Sequence, residues 1–157
     1  MAEASMITDK LKALLNVPSE PTIYRVEEGA ILRYVEAIDD PNPLYSDIEY
    51  ATHSRYSRQI CPPGFTGWPL KSGRVIEGVF DSMWQAGAPP RLLAGGVEFE
   101  FFVPVGAGDI LVSTHKITSM TEKESKSGKM LIAILETTFL NQNGDIAVKV
   151  WRTFIFR

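Results

Sequence analysis

Histidine and cysteine are nearly absent: His53, His115 and a single Cys61 occur in 157 residues. One thiol cannot form an intrachain disulfide, so a cross-linked framework is excluded and a reducing cytoplasm is the expected setting. With so few soft ligands a zinc site has little to build on, and neither metal nor cofactor is expected. No window reaches the ~18 uninterrupted apolar residues of a membrane span, and no basic stretch followed by an apolar core opens the chain as a secretory signal would. Charge is not blocked: the formal net charge is -3, and the basic face that nucleic-acid binding needs is missing. Hydrophobic residues make up 45% of the chain, which is ordinary for a globular protein and argues against disorder. Cys61 lies in the apolar run Ile60-Cys61-Pro62-Pro63, so it reads as a small buried residue before it reads as a nucleophile.

The length suits one domain spanning residues 1–157, with about 70% of the unfolded surface buried on folding. Its first half reads as helical and irregular. Leu11, Leu14 and Leu15 share a face between Thr8 and Asn16, with Thr8 or Asp9 as cap and Pro18 and Pro21 as stops. Gly29 to Ile38 carries Ile31, Leu32, Tyr34, Val35 and Ile38 at helical spacing and ends at Asp39-Asp40-Pro41. Ser46 or Asp47 can cap a third short helix with Ile48 and Ala51. Between Pro62 and Pro90 the chain is rich in glycine and proline. A short helix is expected from Phe65 to Lys71, resuming from Val75 to Trp84.

From Leu92 the period changes to two. Val97, Phe99, Phe101 and Val103 alternate with Glu98 and Glu100, which predicts a strand. Gly106 to Asp109 is a turn, and strands follow over 110–120, 130–140 and 146–156. Thr121 to Gly128 reads as a longer loop, and Asn143-Gly144 as a tight hairpin. Helices first and then an antiparallel meander predict an α+β fold.

Residues 38–45 read Ile-Asp-Asp-Pro-Asn-Pro-Leu-Tyr. This stretch resembles the Asp-x-Asn-Pro-Leu-His signature of the MaoC-type acyl dehydratases, the (R)-specific enoyl-CoA hydratase family. Further along, Arg91 to Glu100 with its Gly95-Gly96-Val97-Glu98-Phe99 core, then Pro104, Gly108-Asp109 and Asn141 to Gly144, is similar to the sheet half of the same family, in particular its N-terminal-type half-domains. The resemblance implies a hot-dog fold, an antiparallel sheet wrapped around a central helix. It also implies an acyl thioester of CoA or acyl-carrier protein as ligand, bound at a dimer seam. By the motif the catalytic candidates are Asp40, Asn42 and Tyr45, and the substrate-binding candidates are Pro63, Gly64, Phe65 and Trp68.

Two departures bear on the chemistry. The family's histidine is Tyr45 here, and a phenol of pKa about 10 is a far poorer base than an imidazole near 6.5. The family also places a glycine N–H, which polarises the thioester oxygen, 22–23 residues after the Asp. That count from Asp40 lands on Pro62-Pro63, and proline has no N–H to give; Gly64 serves only after a one-residue shift. The leading expectation is therefore a companion subunit that shapes an acyl pocket while a second hot-dog subunit supplies the Asp and His. The chain ends at Arg157 without a second half, which fits a free-standing subunit.

Three other readings stay open: a self-sufficient homodimeric hydratase using Asp40 with Tyr45, an acyl-CoA-binding protein without chemistry, and, more weakly, a thioesterase. Asp40 and Asn42 also make good turn residues without catalysis, and Tyr45 can be a packed ring. His53 and His115 read as ordinary surface or sheet residues, and Phe65, Trp68, Phe80 and Trp84 as core or interface before ligand wall. The apolar terminal strand from Lys149 to Phe156 is expected at a sheet edge, closed by a dimer partner, either a second copy or the catalytic subunit.

Overall fold

In the computed structural model, which describes residues 5–67, 70–125 and 128–157, the alternating segments pair into one antiparallel sheet. Its strands are β1 (Thr22–Arg25), β2 (Leu92–Phe101), β3 (Ile110–Ser125), β4 (Gly128–Leu140) and β5 (Ile146–Phe156). The order across the sheet is β1-β3-β4-β5-β2. The helices are α1 (Asp9–Lys12), α2 (Glu28–Ile38), α3 (Pro43–Ser46), α4 (Ile48–His53) and α5 (Leu70–Gln85).

Helix α5 is the sausage of the hot-dog arrangement and the sheet is its wrapper. Phe80 of α5 meets Phe154 edge-on at 4.7 Å, and both Phe80 and Trp84 meet Phe156 edge-on. Met83 is fully buried. The wrapping face of β4 carries Leu131, Ala133, Leu135, Thr137 and Phe139, all buried and alternating with partly exposed neighbours, as a half-covered sheet requires.

The apolar interior falls into two clusters. One gathers Ile31, Val35, Phe65, Leu111, Phe139 and Val150 beneath α2. The other gathers Leu11, Met83, Ile117, Leu131, Leu135 and Phe156 beneath α5.

Asp109, at the entry to β3, ties the irregular first half to the sheet. Its Oδ1 accepts from Arg58 Nη1 and, at 3.1 Å, from Gln142 Nε2; its Oδ2 accepts from Arg58 Nη2 and from the Gly106 N–H, each at 2.9 Å. Its main chain accepts from Val26 N–H at 2.8 Å. Burial alone would raise the Asp109 pKa, but these donors hold it below the ordinary carboxylate value. Gly106 is required here, because a Cβ would stand 2.6 Å from the Gln59 carbonyl oxygen.

Several sequence expectations change. The first helix closes after Lys12 and continues only as turns, so it is shorter than 8–16. β1 was not foreseen: four residues with Ile23 65% exposed give no apolar face to read. Helix α5 is continuous from Leu70 to Gln85, so the expected break before Val75 does not occur; of the earlier helix expected from Phe65, residues 65–67 are not helical and 68–69 lie outside the described residues. Gly73 and Gly78, which look like breaks in the sequence, sit within α5, each at a cost of about 1 kcal/mol relative to alanine. The segment read as a loop over 121–128 is mostly strand, with Ser125 paired to Gly128. The Asn143-Gly144 turn forms as expected, with Asn141 Oδ1 accepting from the Asn143 and Asp145 N–H groups. The terminal strand β5 is not an edge: it lies between β4 and β2, and its apolar residues are explained by that interior place. The sheet edges are β1 and β2.

Asp109→Ala removes the acceptor of four hydrogen bonds, from three residues, at once. With Arg58 37% exposed, the loss is expected at about 2–3 kcal/mol, measured as a fall in the urea midpoint with unchanged m.

Candidate functional site

The Asp-Pro-Asn-Pro segment is built by local hydrogen bonds. Helix α2 ends with Asp39 in the left-handed region (φ 52°), its N–H donating to Glu36 and Val35 carbonyls; asparagine and aspartate tolerate that conformation best among side-chain-bearing residues. Asp40 Oδ1 then accepts from the Asn42 N–H at 3.0 Å, and Asn42 Oδ1 accepts from the Leu44 N–H at 3.1 Å. Asn42 is thereby the cap of α3, with Pro43 at its first position. Both polar residues of the motif shape the turn that presents Tyr45.

Tyr45 is half-buried on α3, and its carbonyl accepts from the buried Gln59 side chain. Burial raises its phenol pKa, and the negative charge of Asp40 raises it further. A phenol held protonated in this way offers a donor and no base at neutral pH. Its ring lines a cleft of about 250 Å³ with Tyr56, Cys61, Pro63, Phe65 and Phe101. Burial, reinforced by Asp109, pushes the Cys61 thiol up to about 12, so no thiolate forms there near neutrality.

The floor of this cleft is a turn. Phe65 N–H donates to the Pro62 carbonyl at 3.1 Å, with Pro63 at the second position and Gly64 (φ +89°) at the third, the arrangement of a type II turn. Pro63 has no donor. The Gly64 N–H is not engaged by any described residue, and the space around its α-carbon is open. Phe65 is stacked on Tyr34, with centroids 4.4 Å apart.

On the other side of Phe65 lies a second cavity, of about 320 Å³, between the sheet and the start of α5. Tyr34, Gly64, Phe65 and Phe139 line it together with His115, Thr137 and Arg152. These last three cross the wrapping face on adjacent strands. His115 of β3 is opposite Thr137 of β4, and Thr137 is opposite Val150, two residues before Arg152 of β5. Arg152 Nη1 donates to Thr137 Oγ1 at 3.1 Å, and that oxygen is 2.8 Å from His115 Nδ1. The three form a polar seam between the two apolar clusters. Burial, aided by the Arg152 charge, lowers His115 to about 4, so the imidazole is neutral at pH 7. Burial also lowers Arg152.

The structure thus brings Tyr45, Pro63 and Phe65 into one cleft and Gly64 and Phe65 into the next. Asp40 and Asn42 stand beside Tyr45 without lining either. Trp68 lies outside the described residues. His115 is a sheet residue as expected, but fully buried and not at the surface. The seam went unread because Arg152 and His115 are separated by 36 positions in strands that look like any half-polar strand. Among the described residues no group of three or more His, Cys, Asp or Glu is placed to hold a metal, and no helix is long and apolar enough to cross a membrane.

Residues 13–150 match the family model for the FAS1-like dehydratase domain region. A UPF0336 protein of Streptomyces coelicolor is 30% identical over 143 residues, covering 89% of this chain and 88% of its own. Among solved structures, a MaoC-like dehydratase superposes with a TM-score of 0.76 at 22% identity, over 92% of this chain but 42% of the other. The C-terminally truncated HadBC (3R)-hydroxyacyl-ACP dehydratase complex of Mycobacterium tuberculosis superposes at 0.74 and 19% identity, over 90% and 96%. At such identities these structural likenesses establish the hot-dog fold.

His115 makes a pH prediction. Its ordinary value is 6.5 and its folded value about 4, so between them the unfolded chain binds a proton that the folded chain refuses. Stability is therefore complete above about pH 6.5 and drains as the pH falls toward 4, by about 2–3 kcal/mol. His115→Gln should flatten the denaturant midpoint over that window; an unchanged slope would assign the loss to other groups.

Proposed function

Because this chain belongs to the FAS1-like dehydratase-region family of hot-dog proteins, we propose that it is a subunit of an acyl-thioester hydratase-dehydratase. In this reading it shapes the acyl pocket, and a second hot-dog subunit supplies the catalytic Asp and His. One observation carries this: the residue at the base position, Tyr45, is a phenol held protonated by burial and by Asp40. Hydration of an enoyl thioester needs a group that takes a proton from water as it attacks the β-carbon, and a positioned base contributes about 10²–10⁴-fold. Asp40 Oδ1 is engaged in the loop, which leaves its Oδ2 alone for that role.

The geometry for the rest of the reaction is only half present. Pro63 withholds the expected oxyanion donor. Gly64, one residue on, has an N–H that no described residue engages, but such a donor is worth its roughly 3–4 kcal/mol only when aimed at the oxygen. The cleft wall of Tyr45, Tyr56, Phe65 and Phe101 suits an acyl chain. Its outer rim is Phe101 and Phe102 on the edge of β2, 51% and 48% exposed, so a partner laid along β2 would roof the cleft. Val97 on the same strand is 58% exposed. Unpaired strand edges of this apolar kind are normally covered. The solved HadBC dehydratase is itself a complex of hot-dog chains, which supports a hetero-assembly for this chain as well. The alternative of a self-sufficient homodimer rests on the same edge and differs only in needing Asp40 as base. The cytoplasm and a CoA or acyl-carrier-protein thioester are the setting and ligand this reading requires.

Two outcomes test it. The purified chain alone is expected to hydrate crotonyl-CoA far below the ~10 per second of an ordinary enzyme; a rate of that order would identify the self-sufficient enzyme instead. Tyr45→His by itself is expected to raise the rate less than about a thousandfold, since Pro63 still gives no N–H. Assembly is read separately. Light scattering on the chain at micromolar concentration, with Val97→Lys/Phe101→Lys beside it, should show a pair that dissociates in the variant. A monomer in both would count against a homodimer along β2.

A further inference from the structure

The concave face of the sheet is apolar except where β5 passes the start of α5. Along β5 the inward row runs Val148, Val150, Arg152, Phe154, Phe156, and every member except Arg152 is an apolar side chain packed in one of the two clusters. Arg152 is partly buried, and a guanidinium partly withdrawn from water gains from a counter-charge or further acceptors that offset its lost hydration. Among the described residues no carboxylate pairs with Arg152, and its one side-chain acceptor is Thr137 Oγ1. That single bond engages one of the five N–H donors of the group. The remaining donors border the cavity of about 320 Å³ described above, at the small end of ligand-sized pockets.

We propose that this cavity binds the carboxylate of a small ligand, with Arg152 as the bidentate partner and Thr137 holding the guanidinium in place. Resting on the acyl-thioester reading, the ligand is an acyl group whose far end carries the carboxylate. The charge arithmetic favours a carboxylate over a phosphate: the imidazole beside Arg152 is neutral, so the seam offers one positive charge to match one negative charge. The fork of the guanidinium fits the two oxygens of a carboxylate in its plane. The walls of Tyr34, Phe65, Ile76 and Phe139 leave the methylene part of the ligand in apolar surroundings. A plain hydrocarbon tail would instead meet a partly buried cation and bind less well. Thr137 is a positioning residue: its oxygen accepts from Arg152, and its own proton is then available to His115 Nδ1.

The test compares ligands that differ only at the far end. Calorimetry on the full chain would measure glutaryl-CoA, pentanoyl-CoA, free glutarate and neutral glutaramide. Glutaryl-CoA is expected to bind at least tenfold more tightly than pentanoyl-CoA, and glutarate to bind where glutaramide does not. Arg152→Gln should abolish both preferences while leaving pentanoyl-CoA affinity unchanged or improved; Arg152→Lys, which keeps the charge without the fork, should retain part of them. Circular dichroism and the denaturant midpoint check that both variants fold. Equal affinity for the two thioesters, or a preference that survives in Arg152→Gln, would overturn the carboxylate site while leaving the thioester reading intact. Glutarate binding through Arg152 with no affinity for either thioester would uphold the site and overturn the thioester reading. No binding by any of the four would overturn both.

Discussion

The buried carboxylate of Asp109 is the constraint on which the rest of this molecule depends. The chain divides into a first half of short helices and turns and a second half of long strands; besides the β1–β3 pairing and the two apolar clusters, this buried polar knot locks one to the other. Asp109 accepts from the Arg58 guanidinium, from Gln142 beyond β4 and from the Gly106 N–H, while its carbonyl receives Val26. Four separate stretches of chain meet at one residue. Because Arg58 is held there, the backbone from Gln59 to Cys61 runs alongside Val105 to Ala107, bonded at Cys61 N–H to the Val105 carbonyl (2.7 Å) and Ala107 N–H to the Gln59 carbonyl (3.1 Å). The Pro62–Phe65 turn follows at once, so its position against β2 and β5 is inherited from that pairing. Both cavities border on this turn.

The same anchoring explains why the motif loop and the turn converge. Gln59, fixed by its backbone bond to Ala107, sends its side chain to the Tyr45 carbonyl, and Ile60 N–H reaches the Leu44 carbonyl at 3.3 Å. Tyr45 is thus steered into the cleft from two directions, by the Asp40–Asn42 turn before it and by Gln59 behind it. Polar atoms that look like catalytic equipment in the sequence are committed to geometry in the fold.

Much of the sheet was legible in the sequence because period-two alternation is a local signal: β2 carries it from Val97 to Phe101, and β4 alternates buried and partly exposed residues along its length. Helix α2 was legible for the same reason at period 3.6. What was hidden was non-local. β1 is four residues long and earns its place only by pairing with β3, so its own composition says little. The interior place of β5 follows from the order of strands, and apolar residues suit a central strand as well as a covered edge. Helix α5 was read as interrupted around Gly73, whereas packing of Ile76, Val79, Phe80 and Met83 outweighs the roughly 2 kcal/mol of propensity that Gly73 and Gly78 cost. Tyr45, Pro63 and Phe65, named through the motif and its spacing, line one cleft. His115, Thr137 and Arg152 carried no motif at all, and only the register of three strands sets them side by side.

That register also limits how the protein can change by single steps. Leu at 152 would leave the Thr137 hydroxyl without the donor that orders it; Val at 137 would take from the partly buried Arg152 guanidinium its side-chain acceptor; Leu at 115 would leave a hydroxyl proton unaccepted. Each lone substitution passes through an intermediate with an orphaned polar group, at about 1–3 kcal/mol apiece, whereas replacing all three by apolar residues of similar shape restores a continuous oily face. Chains diverging from this one are therefore expected to keep the trio or lose it whole, and the presence or absence of all three together divides them into two kinds of interior.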